Sequence, residues 1–155
     1  MHKMLMKKTQ YTLLIALLTV FYVFTGCKKP PVVPPVSERI KNNYVAASVT
    51  EGGTTVYTSG GTSNSKPGYS AFRIDLSNPP AVRLVSVDGT ISTGTYALVG
   101  ETQLVLSGLN PAPTGTNGTI TFTISELADG TVTLTRTTPD AKTGNTTNVY
   151  KLRRG

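Results

Sequence analysis

Thr119-Ile120-Thr121-Phe122-Thr123-Ile124-Ser125 alternates hydroxyl and apolar side chains without a break. Successive side chains of an extended strand point to opposite faces, so Ile120, Phe122 and Ile124 share one side and the hydroxyls the other. Thr131-Val132-Thr133-Leu134-Thr135 repeats the pattern. Phe72, Ile74 and Leu76 alternate with Arg73 and Asp75, and Tyr150 and Leu152 with Val149, Lys151 and Arg153. No helical period appears. One apolar face per strand makes one buried layer, which must close on itself or be covered by a second sheet.

Turn signals cut these runs into short pieces: Gly52-Gly53, Ser77-Asn78-Pro79-Pro80, Asp88-Gly89, Gly100-Glu101, Asp129-Gly130 and Gly144-Asn145. Asp-Gly suits a tight hairpin because a type I′ turn needs positive φ at both central residues. The spacing places strands near 43–50, 54–59, 69–76, 81–87, 91–99, 102–107, 118–126, 131–138 and 146–153. Longer connections fall at 60–68 and 108–117, both rich in Gly, Pro, Ser and Thr. The fold class is all-β: an antiparallel meander of eight to nine short strands closing into a small barrel, with a β-sandwich as the alternative. A membrane-spanning barrel would need strands of about 9–11 residues and a lipid-facing apolar band. The second face here is mostly Thr and Ser.

The N-terminus reads differently. Lys3, Lys7 and Lys8 precede Tyr11 to Phe24, an uncharged run of 14 residues. A spanning helix needs roughly 20 apolar residues, so the run fits the apolar region of a secretory signal. Phe24-Thr25-Gly26-Cys27 follows and resembles the lipobox of bacterial lipoproteins, with Phe24 where Leu is usual. The resemblance implies cleavage before Cys27, a diacylglyceryl thioether on that cysteine and anchorage in a membrane. Two alternatives remain at this point: an uncleaved N-terminal membrane anchor, or ordinary cleavage leaving a free thiol at Cys27. On the lipoprotein reading, 1–26 is the signal peptide, 27–42 a lipidated Pro-rich tether and 43–155 a single domain. Lys28 and not Asp follows Cys27, which in such proteins implies the outer membrane. Lys28-Lys29-Pro30-Pro31 lacks an acidic surface-display signal, which implies the periplasmic face.

The tether contains Pro30-Pro31 and Pro34-Pro35 and no glycine. Proline fixes φ and biases its predecessor toward extended geometry, so a polyproline-like spacer is expected over 28–42. The net charge of +7 belongs mainly to the ends of the chain. From Asn43 onward eight Lys and Arg face seven Asp and Glu. Nucleic-acid binding requires clustered cations that neutralise several phosphates, and no such run occurs, so nucleic acid is not an expected partner. The basic residues beside Cys27 suit either an anionic membrane surface or simple solubility.

A lipobox, a Pro-rich tether and a Thr-rich meander together resemble the lipocalin-like domains of Bacteroidetes lipoproteins. The resemblance covers 43–155 and rests on architecture. Where lipocalins carry Gly-x-Trp on the first strand, this chain has Asn42-Asn43-Tyr44. The late arginine that packs over that tryptophan would correspond to Arg136 or Arg153. Arg136 shares parity with Val132 and Leu134 and so points inward at a barrel end, or lies past the last buried position and faces solvent. Lipocalins bind small apolar ligands inside the barrel, whereas many small barrels are filled by their own side chains.

The residue inventory narrows the chemistry. On the lipoprotein reading the mature chain loses its one histidine, His2, and commits its one cysteine to lipid. Ser-His-Asp and Cys-His nucleophile pairs then lack members, and so do the usual N/S zinc sites. Asp75, Asp88, Glu101, Glu126, Asp129 and Asp140 remain as carboxylates, but several sit at turns where such residues are favoured for backbone reasons. No catalytic residue, metal site or cofactor is expected, and the chain is not expected to be an enzyme. The ligand-binding candidates are Tyr44, Tyr57, Tyr69, Tyr96 and Arg136, with Tyr150 a further aromatic able to line a cavity or pack the core. Two functions follow. One is a lipid-anchored module binding a small apolar ligand in or at the mouth of the barrel. The other is a structural or assembly lipoprotein whose sheet surface engages an envelope partner. A cavity of several hundred Å³ favours the first. A barrel filled by Phe72, Ile74, Leu104, Leu106, Phe122, Ile124 and Leu134 favours the second.

Overall fold

The computed structural model describes residues 32–155. Cys27 and the segment 1–26 lie outside the described residues. The chain from Pro34 to Gly155 forms one compact unit. It comprises a one-turn helix α1 (Val36–Arg39) and nine strands: β1 (Asn43–Glu51), β2 (Thr54–Thr58), β3 (Arg73–Asp75), β4 (Ala81–Val85), β5 (Ile91–Val99), β6 (Gln103–Asn110), β7 (Ile120–Ala128), β8 (Thr131–Arg136) and β9 (Asn148–Arg154).

From β3 to β9 each strand pairs antiparallel with the next, and β9 returns to pair with β1 over Tyr44–Glu51. Closure therefore occurs through β1, β3 to β9: eight strands make the barrel and β2 is extra. Both β2 and β3 lie along the same edge of β1. The first half of β1 pairs with β3, as Tyr44 with Ile74, and the second half with β2, as Val49 with Tyr57. This is the small lipocalin-like barrel; a sandwich would leave β9 and β1 apart.

Strand β2 has a free outer edge, and the following loop occupies it. Asn64 accepts from the Thr58 amide at 2.8 Å and donates to the Thr58 carbonyl at 3.0 Å. The Lys66 amide donates to the Val56 carbonyl at 3.1 Å.

Closing a barrel demands bends, and the register shifts show where they lie: Ala46/Ser48 in β1, Thr93/Thr95 in β5 and Ile124/Glu126 in β7. At the β5 bend the backbones come so close that a Cβ on Gly94 would sit 2.5 Å from the Ser107 carbonyl oxygen. Only glycine fits there.

The interior is packed by its own side chains. Ile74, Leu104, Leu106 and Leu134 are fully buried, and Phe72, Phe122 and Ile124 nearly so. Phe72 and Tyr150 stack at 4.7 Å between ring centroids, with Phe122 and Tyr69 set against Tyr150 edge-on. Burying such side chains stabilises by about 1.5–3 kcal/mol each relative to exposure.

Two expectations need correction. The tether does not extend to residue 42: Pro34–Pro35 lead into α1, and Val36 and Ile40 enter the core, Ile40 completely. A single turn presents too few residues for a helical period, so the sequence pattern passed over it. The strand expected over 69–76 begins only at Arg73, because Pro67–Ala71 forms a 3-10 turn that carries Tyr69 into the core. Pro67 supplies the fixed φ and has no amide to leave unpaired.

Candidate functional site

The barrel has two ends. One, closed by α1, holds the start of β1 and the ends of β3, β5, β7 and β9. The other, the mouth, holds the opposite termini, the 3-10 turn Pro67–Ala71 and the turn Ala141–Thr143. All four polar side chains buried at inward strand positions lie at the mouth: Glu51, Ser92, Arg136 and Asn148.

Arg136 ends β8, two residues past Leu134, and keeps the inward parity; its side chain is 5% exposed. Of the two placements open from the sequence, the structure shows the inward one. Its Nη1 lies 2.6 Å from Asp140 Oδ2. Its Nε is buried with no hydrogen-bond partner among the described residues. Asp140 also caps the Ala141–Thr143 turn by accepting from the Lys142 amide. Asn148 donates to Tyr150 Oη at 3.2 Å and to Thr143 Oγ1 at 3.1 Å.

Tyr69 forms a second layer. Its hydroxyl donates to Glu51 Oε1 at 2.7 Å, and Lys66 donates to the other Glu51 oxygen. A Cβ on Gly68 would meet the Val87 carbonyl oxygen at 2.6 Å, so glycine lets this turn press onto the β4–β5 connection. Lys142 reaches across the mouth to Asp88 in that connection. The three mouth cations, Lys66, Arg136 and Lys142, thus each meet a carboxylate.

Burial is the main reason the Tyr69 hydroxyl is held protonated far above the ordinary tyrosine range, and it pushes Tyr150 up to about 12. The hydrogen bond from Lys142 is the main reason Asp88 falls to about 2. The three ion pairs make a charge-matched polar cover over the mouth. The cavity beneath it, bounded by Phe72, Pro113, Phe122, Arg136 and Tyr150, has a volume of about 30 Å³. That is room for water, which needs about 10–15 Å³ on this measure, and far below a small-molecule pocket.

The five candidates do not converge. Tyr69, Tyr57 and Arg136 belong to the mouth half, with the Tyr57 and Tyr69 rings 6.2 Å apart. Tyr44 and Tyr96 belong to the α1 end. The Tyr96 hydroxyl donates to the Leu76 carbonyl at 3.0 Å, and Tyr44 is fully buried beside Asn42. Burial raises the pKa of both. Arg136 lies at the mouth, away from Tyr44, and Arg153 points outward and is exposed. The residue opposite Tyr44 in the β1–β9 ladder is Arg154, whose Nε donates to Asn42 Oδ1 at 2.9 Å.

Sequence reasoning also missed the mouth network of Asn148, Thr143 and Thr146, since uncharged side chains in a turn carry no pattern. Of the carboxylates, Asp88 accepts from the Lys142 ammonium, Asp140 pairs with Arg136 and accepts from the Lys142 amide, and Glu126 accepts from Thr133 at 2.8 Å on the outer face. No family model, curated protein or solved structure matches the chain.

Proposed function

We propose that this chain is a lipid-anchored, non-catalytic protein of the cell envelope whose barrel is a filled scaffold that engages an envelope partner through its exterior. The packed interior carries this reading. A lipid-sized or drug-sized ligand needs a pocket of about 300–1,000 Å³, and the space under the mouth is about 30 Å³. The lipobox-like Phe24-Thr25-Gly26-Cys27 supports anchorage through Cys27, and Lys28 supports the periplasmic face of the outer membrane.

Two measurements on protein extracted from membranes test the two halves of this reading. Intact mass should correspond to residues 27–155 plus a diacylglyceryl group; an unprocessed mass removes the anchor. Solvent extraction of the same sample should yield no small apolar molecule in stoichiometric amount. Recovery of one would restore the ligand-binding alternative, with the mouth loops opening to admit it.

A further inference from the structure

The cations of the domain are sorted by end. Those at the mouth are matched by Glu51, Asp140 and Asp88. At the α1 end and on the adjoining face only Lys41 and Arg154 are so matched. Arg153 and Arg73 flank Val45 on either side of β1, all in register, with Lys151 two positions from Arg153 on the same outer face. Two strand spacings put the arginine backbones about 10 Å apart. Arg73, Lys151 and Arg153 are exposed. They have no carboxylate at ion-pair distance among the described residues, nor does half-buried Arg39, whose guanidinium donates to the Leu127 carbonyl. Lys41 and Arg154 complete the set; their partners, Glu38 and Asp129, are themselves exposed. The other acidic groups at this end are Asp75, which accepts from Ser77, Glu126, which accepts from Thr133, and exposed Glu101 in the β5–β6 turn. Exposed pairs of this kind contribute little and are free to exchange partners.

The chain enters the domain at this end. Pro34 borders a groove lined by the cations Arg39, Lys41 and Arg154 and by the carboxylates Glu38 and Asp129. Only six residues lie between Cys27 and Pro34, a reach of at most about 25 Å.

We infer that the α1 end and the β9–β1–β3 face form a docking surface for anionic phospholipid headgroups, which orients the barrel with its mouth away from the bilayer. The inference rests on the anchored reading for the direction of approach. The occupant is set by charge complementarity: separated, exposed guanidinium and ammonium groups suit a sheet of phosphates, each cation strengthening surface partition about five-fold. The attraction is screened by salt.

Lysines at both ends report the orientation. The full chain, as isolated from membranes, is placed in vesicles of phosphatidylcholine alone or with added phosphatidylglycerol, and amine acylation is followed by mass spectrometry. With the anionic lipid, acylation of Lys41 and Lys151 slows severalfold, and Lys66 and Lys142 are unchanged. High salt removes the difference, and so does the double variant Arg73→Glu, Arg153→Glu at unchanged melting temperature. Equal labelling of Lys41 and Lys151 in both vesicles, or protection of Lys66 and Lys142 instead, overturns the docking surface. Intact mass reads Cys27 separately. A chain lacking lipid is scored by flotation: rising with anionic but not neutral vesicles supports the surface, and rising with neither overturns it. Loss of the anchor and loss of the docking surface thus register apart.

Discussion

At one end of the barrel the plug is Ile40, a wholly buried aliphatic side chain delivered by a single helical turn. At the other it is Tyr69, equally buried, but with its hydroxyl bonded to a carboxylate that also holds a lysine. Below Ile40 the core is aliphatic and aromatic. Below Tyr69 lie Arg136, Asp140 and Asn148 in a bonded network. The apolar plug tolerates change in proportion to the volume removed. The polar plug is all-or-none, because a buried charge that loses its partner keeps its desolvation cost.

The largest expected effect tests that difference. Arg136→Met leaves Asp140 nearly buried and without its guanidinium, and should destabilise by about 3–5 kcal/mol. The double variant Arg136→Met, Asp140→Leu should recover much of the loss in urea unfolding; no recovery would mean the pair is not the governing feature. At the opposite end Ile40→Ala should cost about 2–5 kcal/mol by leaving a cavity. Ile40→Val should cost about 0.5–1.5 kcal/mol, so the response is graded. An all-or-none response at residue 40 would erase the contrast between the ends.

Tyr69→Phe removes one hydrogen bond to a charged group and leaves Glu51 with Lys66, for a cost of about 1.5–3 kcal/mol. The buried tyrosines also fix a pH limit. Folding holds Tyr69 and Tyr150 protonated beyond the unfolded value near 10, so their contribution is complete below about pH 10. It is lost as pH rises through the folded values, about 12 for Tyr150. Thermal melts should hold steady up to pH 10 and fall steeply above it. The part of the tyrosinate absorbance that the Tyr69→Phe variant lacks should rise together with unfolding and not before it. The smallest effect belongs to Lys142→Ala. It removes an exposed bridge across the mouth and should cost less than about 1 kcal/mol, while returning Asp88 toward the ordinary carboxylate range in an NMR titration.

The barrel was legible because alternation at period two is a property of single residues. Ile120, Phe122 and Ile124 announced their face, and the structure buries all three. The plugs were not legible. Ile40 stands in one turn after a proline pair, and Tyr69 in a loop whose 3-10 geometry is set by Pro67. Each acts through a long-range contact that no local period encodes. Inward parity was enough to keep Arg136 as a candidate, but its partner Asp140 lies in a turn, where acidic residues are common for other reasons. The separation of Tyr44 and Tyr96 from Tyr57 and Tyr69 required the strand register, which composition does not carry.

The loop that covers the outer edge of β2 has a consequence for crowding. On the anchored reading proposed above, the protein would be concentrated in two dimensions, where neighbours meet side by side in similar orientations. An open strand edge in that setting is a template for pairing with the next copy. Here the Thr58 amide and carbonyl and the Val56 carbonyl are already taken by Asn64 and Lys66. The seam left by a strand outside the closed ring is sewn by its own loop, so copies anchored shoulder to shoulder would find no open edge there to knit into a continuous sheet.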